Sequence, residues 1–484
     1  MVFARFVEKN LETWFQRKSR KPLVVRGARQ VGKSTLVRRF AEKHGLTLHE
    51  INLERHPDLV KKFEKLDIAE LLKEFQYICG KGKVNSPDSL LFIDEIQAVP
   101  AAIKALRYFY EDYPHLPLIA AGSLLEFTLA DHNYSMPVGR IEYLYMGPMT
   151  IGEFLAAKNE TDLLELIESY NIESPFPAKA HQKLLILQRE YLMVGGMPEA
   201  VQQYVETDDF NEVMNVHSAI IETYRDDFAK YAKGEDLLRL HRVFDYVPAA
   251  AGEKTKYSNI DGNDQARSLR KAIDRLDKAE VISCVFHSKS SGVPVKSGKN
   301  DKIYKMYFLD IGLMNRVCGI QALPLAQLEK REFINEGKMA EQFIQQHLLR
   351  IGRMNEKPQL FYWLREGKSV NAEVDFVIQL NGNVVPVEIK AGKSGSLKSL
   401  HRFTWEKKSK EAVRFDLNPP SIMDVKHKIT SNSPGEEGEA SFQLLSLPLY
   451  MVEQLPRVYH RWHETVNTEK IPLSPCPSNR PSLS

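Results

Sequence analysis

Eight consecutive residues near the start of the chain carry the clearest chemistry. Gly27, Ala28, Arg29, Gln30, Val31, Gly32, Lys33 and Ser34 spell G-x-x-x-x-G-K-[ST], with Thr35 next. Glycines at that spacing let the backbone curl so that its N–H groups point inward at phosphate oxygens. Lys33 then reaches the β- and γ-phosphates of a nucleotide, and Ser34 offers its hydroxyl to Mg2+. With glycine near 7 % of residues, chance gives about 0.02 such matches in a chain this long.

A phosphate loop needs a second magnesium ligand and a group to orient water. Leu90, Leu91, Phe92 and Ile93 form an apolar run that ends in Asp94 and Glu95. Ligands of α/β sheets bind at such strand ends. Asp94 is expected to hold Mg2+, directly or through water, and Glu95 to polarise the attacking water. Gly122 and Ser123 close the next apolar run. Ser123 either bonds the water or the γ-phosphate, or caps a helix. Arg140 is either an arginine finger supplied to a neighbouring subunit's ATP or a surface residue.

A second constellation lies far along the chain. Positions 373–380 alternate, with Val374, Phe376, Ile378 and Leu380 on one face and Glu373 and Asp375 on the other. Asn381-Gly382 signals a two-residue hairpin. Closing there pairs Leu380 with Asn383, and counting back sets Asp375 opposite Glu388 and Glu373 opposite Lys390. Two carboxylates so placed repel unless a cation sits between them. Glu341 joins them, because its spacing to Ile344 and Leu348 turns it toward the apolar side of its helix. Glu341, Asp375 and Glu388 as ligands of a hard cation, with Lys390 steadying phosphate charge or water, suit metal-assisted phosphodiester hydrolysis. A salt-bridged hairpin, with Glu373 on Lys390 and Asp375 solvated, accounts for the same spacing.

The elements needed to position these groups are legible in outline. Positions 23–25, 46–53, 90–93, 118–121 and 141–146 read as strands, and a helix is expected from Lys33 to about Lys43. That alternation predicts a parallel α/β sheet with helices on both faces. From about 152 to 235 the periodicity is helical, broken by Gly195-Gly196-Met197-Pro198. A helix over 264–280 and strands at 281–286 and 303–308 enclose a basic segment and look like a winged helix. Five lysines (Lys289, Lys296, Lys299, Lys302, Lys305) against Asp301 make that wing either a phosphate contact or a solvated hairpin. A separate α/β unit is expected at 331–450.

The 484 residues suggest about three domains. At 43 % hydrophobic and 27 % charged, the composition excludes a wholly disordered, collagen-like or coiled-coil chain. A net charge of +3 leaves any nucleic-acid affinity to local patches. The four cysteines form no CxxC, so a reducing compartment is expected and no cysteine-rich zinc site. The first residues lack the apolar core of a signal peptide, and no run approaches a membrane span. A cytoplasmic protein with no membrane partner is the expectation.

Together these residues resemble a widespread prokaryotic family of AAA-type ATPases. In it a P-loop domain is followed by helices, a winged helix and a C-terminal domain of unknown function similar to the PD-(D/E)XK nucleases. The resemblance is carried by 27–34, 91–97, 121–123, 139–140, 195–198 and 304–313, and by 337–343, 373–376 and 387–390. Val374 stands where the name of the nuclease motif has proline. The resemblance implies an ATPase core at 1–155, a helical lid at 156–235, a winged-helix domain at 236–330 and a nuclease-like domain at 331–450. It leaves out the tail at 451–484, whose Pro/Ser-rich end is expected to be disordered. It implies ATP and Mg2+ held by Lys33, Ser34 and Asp94, with Glu95 as the hydrolytic carboxylate. Nuclease roles fall on Asp375, Glu388 and Lys390, with Glu341 as a further ligand. Three functions follow as expectations: an ATPase coupled to the nuclease-like unit, an ATP-gated DNA or RNA endonuclease, and a non-cleaving switch that binds nucleic acid or protein. Nucleic acid and further copies of the chain are the expected partners.

Overall fold

The computed structural model describes residues 3–122, 136–137, 139–320, 336–352, 354–366, 371–392, 397–429 and 437–468. Five short apolar segments form the first sheet: β1 (Leu23–Arg26), β2 (Thr47–Asn52), β3 (Ser89–Asp94), β4 (Leu118–Ala121) and β5 (Glu142–Tyr145). All its neighbours run parallel, in the order β2-β3-β4-β1-β5. Every residue of β3 and β4 is buried, as befits central strands covered on both faces. One face packs on the helix Lys33–Lys43 and on the helical region beyond. The other packs on the helices Leu59–Lys65, Ile68–Cys79 and Pro100–Asp112. β1 thus has β4 on one side and β5 on the other, and delivers its C-terminal end to the phosphate loop.

The helices Ala178–Val194, Pro198–Thr207, Phe210–Tyr231 and Gly234–Ala249 follow. The helix Ala266–Lys278 buries Leu269, Ala272, Ile273 and Leu276. Next comes the hairpin of β6 (Ile282–Ser288) and β7 (Lys299–Phe308). Both strands are longer than the hydrophobic alternation indicated, and the tip shrinks to 289–298. The later strands are β8 (Phe361–Arg365), β9 (Ala372–Leu380), β10 (Asn383–Ile389), β11 (Glu411–Asp416), β12 (Ser421–Ile429) and β13 (Gly438–Pro448).

Here the structure departs from the expected division of the chain. β6 and β7 form the edge of one eight-stranded sheet, ordered β12-β13-β11-β10-β9-β8-β6-β7. The join is parallel, Phe286 with Phe361 and His287 with Tyr362. A boundary near residue 330 therefore cuts a hydrogen-bonded sheet, and the hairpin is not the wing of a free-standing unit. Two residues of pairing between segments some 75 positions apart leave no local signal. The expected tail differs too: Leu455–Thr468 is a helix that buries Leu455, Val458, Tyr459 and Trp462. The residues after it lie outside the described part of the chain. One apolar core runs without a break from the first sheet through the helices to the eight-stranded sheet.

Candidate functional site

The phosphate loop joins β1 to the helix Lys33–Lys43. Gly32 sits at φ +93° and Gln30 at φ 61°, so the loop takes the left-handed turns its curl demands. A side chain at Gly27 would meet the Met146 carbonyl oxygen at 2.1 Å. Lys33 is buried, and its Nζ donates to the carbonyls of Gly27 (3.0 Å) and Ala28 (2.7 Å). Burial pulls its pKa down to about 8, against the pull of Glu95, Glu280 and Asp94. The loop thus holds a desolvated cation that a phosphate would relieve.

Ser34 Oγ donates to Asp94 Oδ2 over 2.8 Å, across 60 residues of sequence. Asp94 ends β3 and is buried, which raises its pKa above the ordinary range; Glu95 beside it adds to the effect. A hydroxyl and a carboxylate oxygen side by side are the hard-oxygen pair that Mg2+ takes next to a phosphate chain. The donors present therefore fit that ion. Glu95 holds a left-handed backbone at φ 51° and accepts from Gln97 Nε2 over 2.5 Å. Gln97 in turn lies against Gly122, where a Cβ would stand 2.3 Å from its Oε1.

These groups line one cleft of about 430 Å³ that includes Arg29, Gln30, Gly32, Lys33, Ser34, Thr35, Asp94 and Glu95. Ala28 and Val31 are buried behind it. Sequence reasoning missed its walls: Phe3, Arg5, Met149, Pro198, Glu199 and Gln202. Arg5 is buried, donates to the Val31 and Gly147 carbonyls (both 2.7 Å) and pairs with Glu153. Arg29 forms an ion pair with Asp227 on the helix Phe210–Tyr231, and Tyr224 on that helix donates to the Arg29 carbonyl at 2.7 Å. Only the break at 195–198 hinted at these walls, since it opens the helix that carries Pro198. Arg140 lies away from the cleft, exposed and paired with Glu111 at 3.0 Å. Ser123 lies outside the described residues.

The Gly195–Pro198 turn is tied into the rest of the molecule. Asp310 Oδ2 accepts from Gly196 N (2.7 Å), and its Oδ1 accepts from Gly312 N and Leu313 N. A Cβ on Gly196 would stand 2.0 Å from the Met149 carbonyl oxygen. Tyr191 donates to that same oxygen and accepts from Gln346 Nε2. Gln346 also accepts from Ile311 N, one residue beyond Asp310.

In the eight-stranded sheet the β9–β10 ladder runs from Asn383–Leu380 to Val387–Phe376, the register counted from the turn. Asn381 and Gly382 both have positive φ, as a two-residue hairpin turn requires. β11 pairs with β10 only from Val387 onward, so Pro386 deprives it of no bond. Past Val387 the side chains take over: Asp375 Oδ2 accepts from Ile389 N at 2.8 Å. Lys390 Nζ pairs with Glu388 at 2.6 Å.

The salt-bridged hairpin expected from the spacing is not what forms. Glu373 pairs with Lys305 at 2.5 Å, not with Lys390. Lys305, read as a wing lysine, is 1 % exposed and also lies 3.7 Å from Glu341. Charge alone hid this: Lys305 lies in the strand 303–308 but was counted with the wing lysines, whereas every residue from Tyr304 to Phe308 is buried. Tyr307, two residues on, donates to Glu341 at 3.0 Å. Burial raises the pKa values of Glu341, Asp375 and Glu388; for Glu341 and Glu388, Asp375 adds to the effect. Burial alone would lower Lys305, but Glu341, Asp375 and Glu373 raise it. Among the described residues no three His, Cys, Asp or Glu side chains are grouped to hold a metal ion. As arranged, Glu341, Asp375 and Glu388 do not fit a divalent cation, and the cation beside Glu341 and Asp375 is an ammonium.

The fold and the first site define an ATP-binding domain of the AAA ATPase type. Residues 19–155 match the family described as AAA domain. Residues 186–323 match a domain of unknown function (DUF8612), and residues 336–421 another (DUF4143). No curated protein matches the chain. Among solved structures, the RuvB Holliday junction branch migration motor of Thermotoga maritima is 16 % identical over 57 % of this chain and 88 % of its own, with a TM-score of 0.27. So loose a likeness carries no argument. Among the described residues no helix is long and apolar enough to cross a membrane.

Proposed function

We propose that the protein hydrolyses ATP with Mg2+ at the 27–35 loop and couples nucleotide state to the eight-stranded sheet. The observation that carries this is the Ser34–Asp94 bond at 2.8 Å beside a buried Lys33, with Glu95 one residue further. Lys33 and the loop N–H groups would bind the phosphates. Ser34 and Asp94 would hold Mg2+, which supplies charge neutralisation there. Glu95 would orient water, and Gln97 fixes its carboxylate. If Glu95 acts this way, Glu95→Gln keeps Mg2+-dependent ATP binding, read by thermal shift, while phosphate release falls by roughly a hundredfold or more. Equal loss of binding and turnover would refute that role.

Support for coupling comes from the route between the two regions. Lys305 and Tyr307 reach the carboxylates, and five residues past Lys305 stands Asp310, which fastens the turn leading to Pro198 in the cleft wall. That is roughly 15–17 Å of nearly extended chain.

A second reading, the non-cleaving switch, is favoured over an ATP-gated endonuclease by Lys305 among the acids. Lys289, Lys296 and Lys302 are exposed and remain the candidates for nucleic-acid contact. DNA or RNA binding that weakens with salt, and weakens less steeply when those lysines become alanine, is expected. Mg2+-dependent nicking lost in Asp375→Ala would restore the endonuclease instead. An arginine-finger role for Arg140, assembly into oligomers and a cytoplasmic location also belong to this proposal.

A further inference from the structure

A second cavity, of about 190 Å³, lies where the β6–β7 hairpin meets the end of the helix Glu336–Leu348. It shares no lining residue with the nucleotide cleft. Phe286, Phe308, Leu309, Leu349 and Pro358 give it apolar walls, and Arg350 brings a guanidinium to it. The Arg350 side chain is 10 % exposed. Its Nε and Nη1 have no hydrogen-bond partner, and among the described residues no other arginine has two such nitrogens. Its Nη2 lies 3.7 Å from Glu280 Oε2, near enough to feel the charge and too far for a hydrogen bond. Asp277, the other acid of the cavity, is committed to Lys357 at 3.3 Å and to the Cys284 amide at 2.8 Å. Gly147 makes room for the guanidinium, because a Cβ there would stand 2.4 Å from it. Burial lowers the pKa of Arg350, and Glu280 offsets this only in part. A desolvated guanidinium with unmet donors costs free energy that acceptor oxygens would recover.

We propose that this cavity binds a small organic carboxylate with an apolar body, its carboxylate on Arg350. The planar fork of a guanidinium matches the two oxygens of a carboxylate. Apolar walls take the rest of the ligand, which an inorganic anion would leave unfilled. An apolar cavity of about 150 Å³ takes benzene, so this one has room for a ring that carries a carboxylate. Lys296 and Lys357 line the same cavity and temper the repulsion between the ligand and Glu280. The inference is independent of ATP hydrolysis, because the two sites have separate walls.

The test is a titration of the full chain with benzoate, and with benzamide as its uncharged counterpart, followed by saturation-transfer NMR. Wild type should bind benzoate saturably with a Kd below roughly 10 mM, and benzamide at least about tenfold more weakly. Arg350→Lys keeps the charge and loses the fork, so benzoate should bind it about tenfold or more weakly than wild type. Glu280→Gln removes the competing acid and should bind benzoate more tightly than wild type. Lys33→Ala separates the two sites, since benzoate held by the phosphate loop would be lost there and benzoate held by Arg350 would stay. Benzamide binding as tightly as benzoate overturns the proposal. So do the absence of saturable binding, loss of binding in Lys33→Ala, and unchanged binding in a folded Arg350→Lys. Should Arg350→Lys fail to fold, Glu280→Gln decides, and no gain over wild type overturns it.

Discussion

At the residue scale, Lys33 sets the energetics of the cleft. Its pKa near 8 in the fold, against 10.5 for a free lysine, means that the folded chain holds this proton less firmly than the unfolded one. The sign follows: this group weakens the fold below about pH 8 and ceases to do so as pH rises toward 10.5. Lys33→Met should therefore melt no lower than wild type at pH 7. The upper bound on the relief is on the order of 3 kcal/mol. The same variant should lose the stabilisation that Mg2+-ATP gives wild type, which is about 2.7 kcal/mol at a hundredfold excess over Kd. Differential scanning calorimetry reads both, and a large fall in the melting temperature without ATP would contradict the strained-lysine account. Asp94 and Glu95 were legible from sequence because a strand end following an apolar run is a local signal. Arg5 and Asp227 were not, because each acts on the loop from a distance in sequence that leaves no pattern.

At the scale of elements, the Gly195–Pro198 turn joins the cleft to the rest of the molecule. Gly196→Ala forces a Cβ to within 2.0 Å of backbone oxygen, so a loss of roughly 2–4 kcal/mol or outright insolubility is expected. Urea unfolding measures it, and a change within 0.5 kcal/mol or so would show that the turn is not packed as described. Asp310→Asn is subtler: it keeps the shape but replaces one acceptor oxygen of a buried carboxylate with a donor. If the turn transmits nucleotide state, ATP should change amide exchange in β7 of wild type and leave β7 of Asp310→Asn unchanged. Identical responses in both would remove Asp310 from the route. The turn itself could be read from its glycines, but its partner lies 114 residues away, and that pairing is visible only in three dimensions.

At the scale of the molecule, one core and one sheet cross the boundary expected near residue 330. The hairpin register around Asn381-Gly382 was legible because turn chemistry fixes it locally. The placement of β6 and β7 was not, since a parallel contact of two residues with β8, some 75 positions away, leaves no local pattern. A fragment starting after residue 330 should lack β6, β7 and Lys305, expose the β8 edge and fail to give a cooperative melt. A fragment starting near residue 210 should retain them, and a cooperative melt from the shorter one would contradict the shared sheet. Lys305 was misplaced for the same reason: its assignment depended on which way a strand faced, and that was settled by a partner sheet the alternation does not name.

The central claim is that this loop hydrolyses ATP. Phosphate release from Mg2+-ATP by the purified full chain, compared with Lys33→Ala, tests it most directly. The account predicts steady turnover in wild type and a loss of at least about a hundredfold in the variant. Equal rates in the two proteins, or no turnover in either while both remain folded, would contradict it.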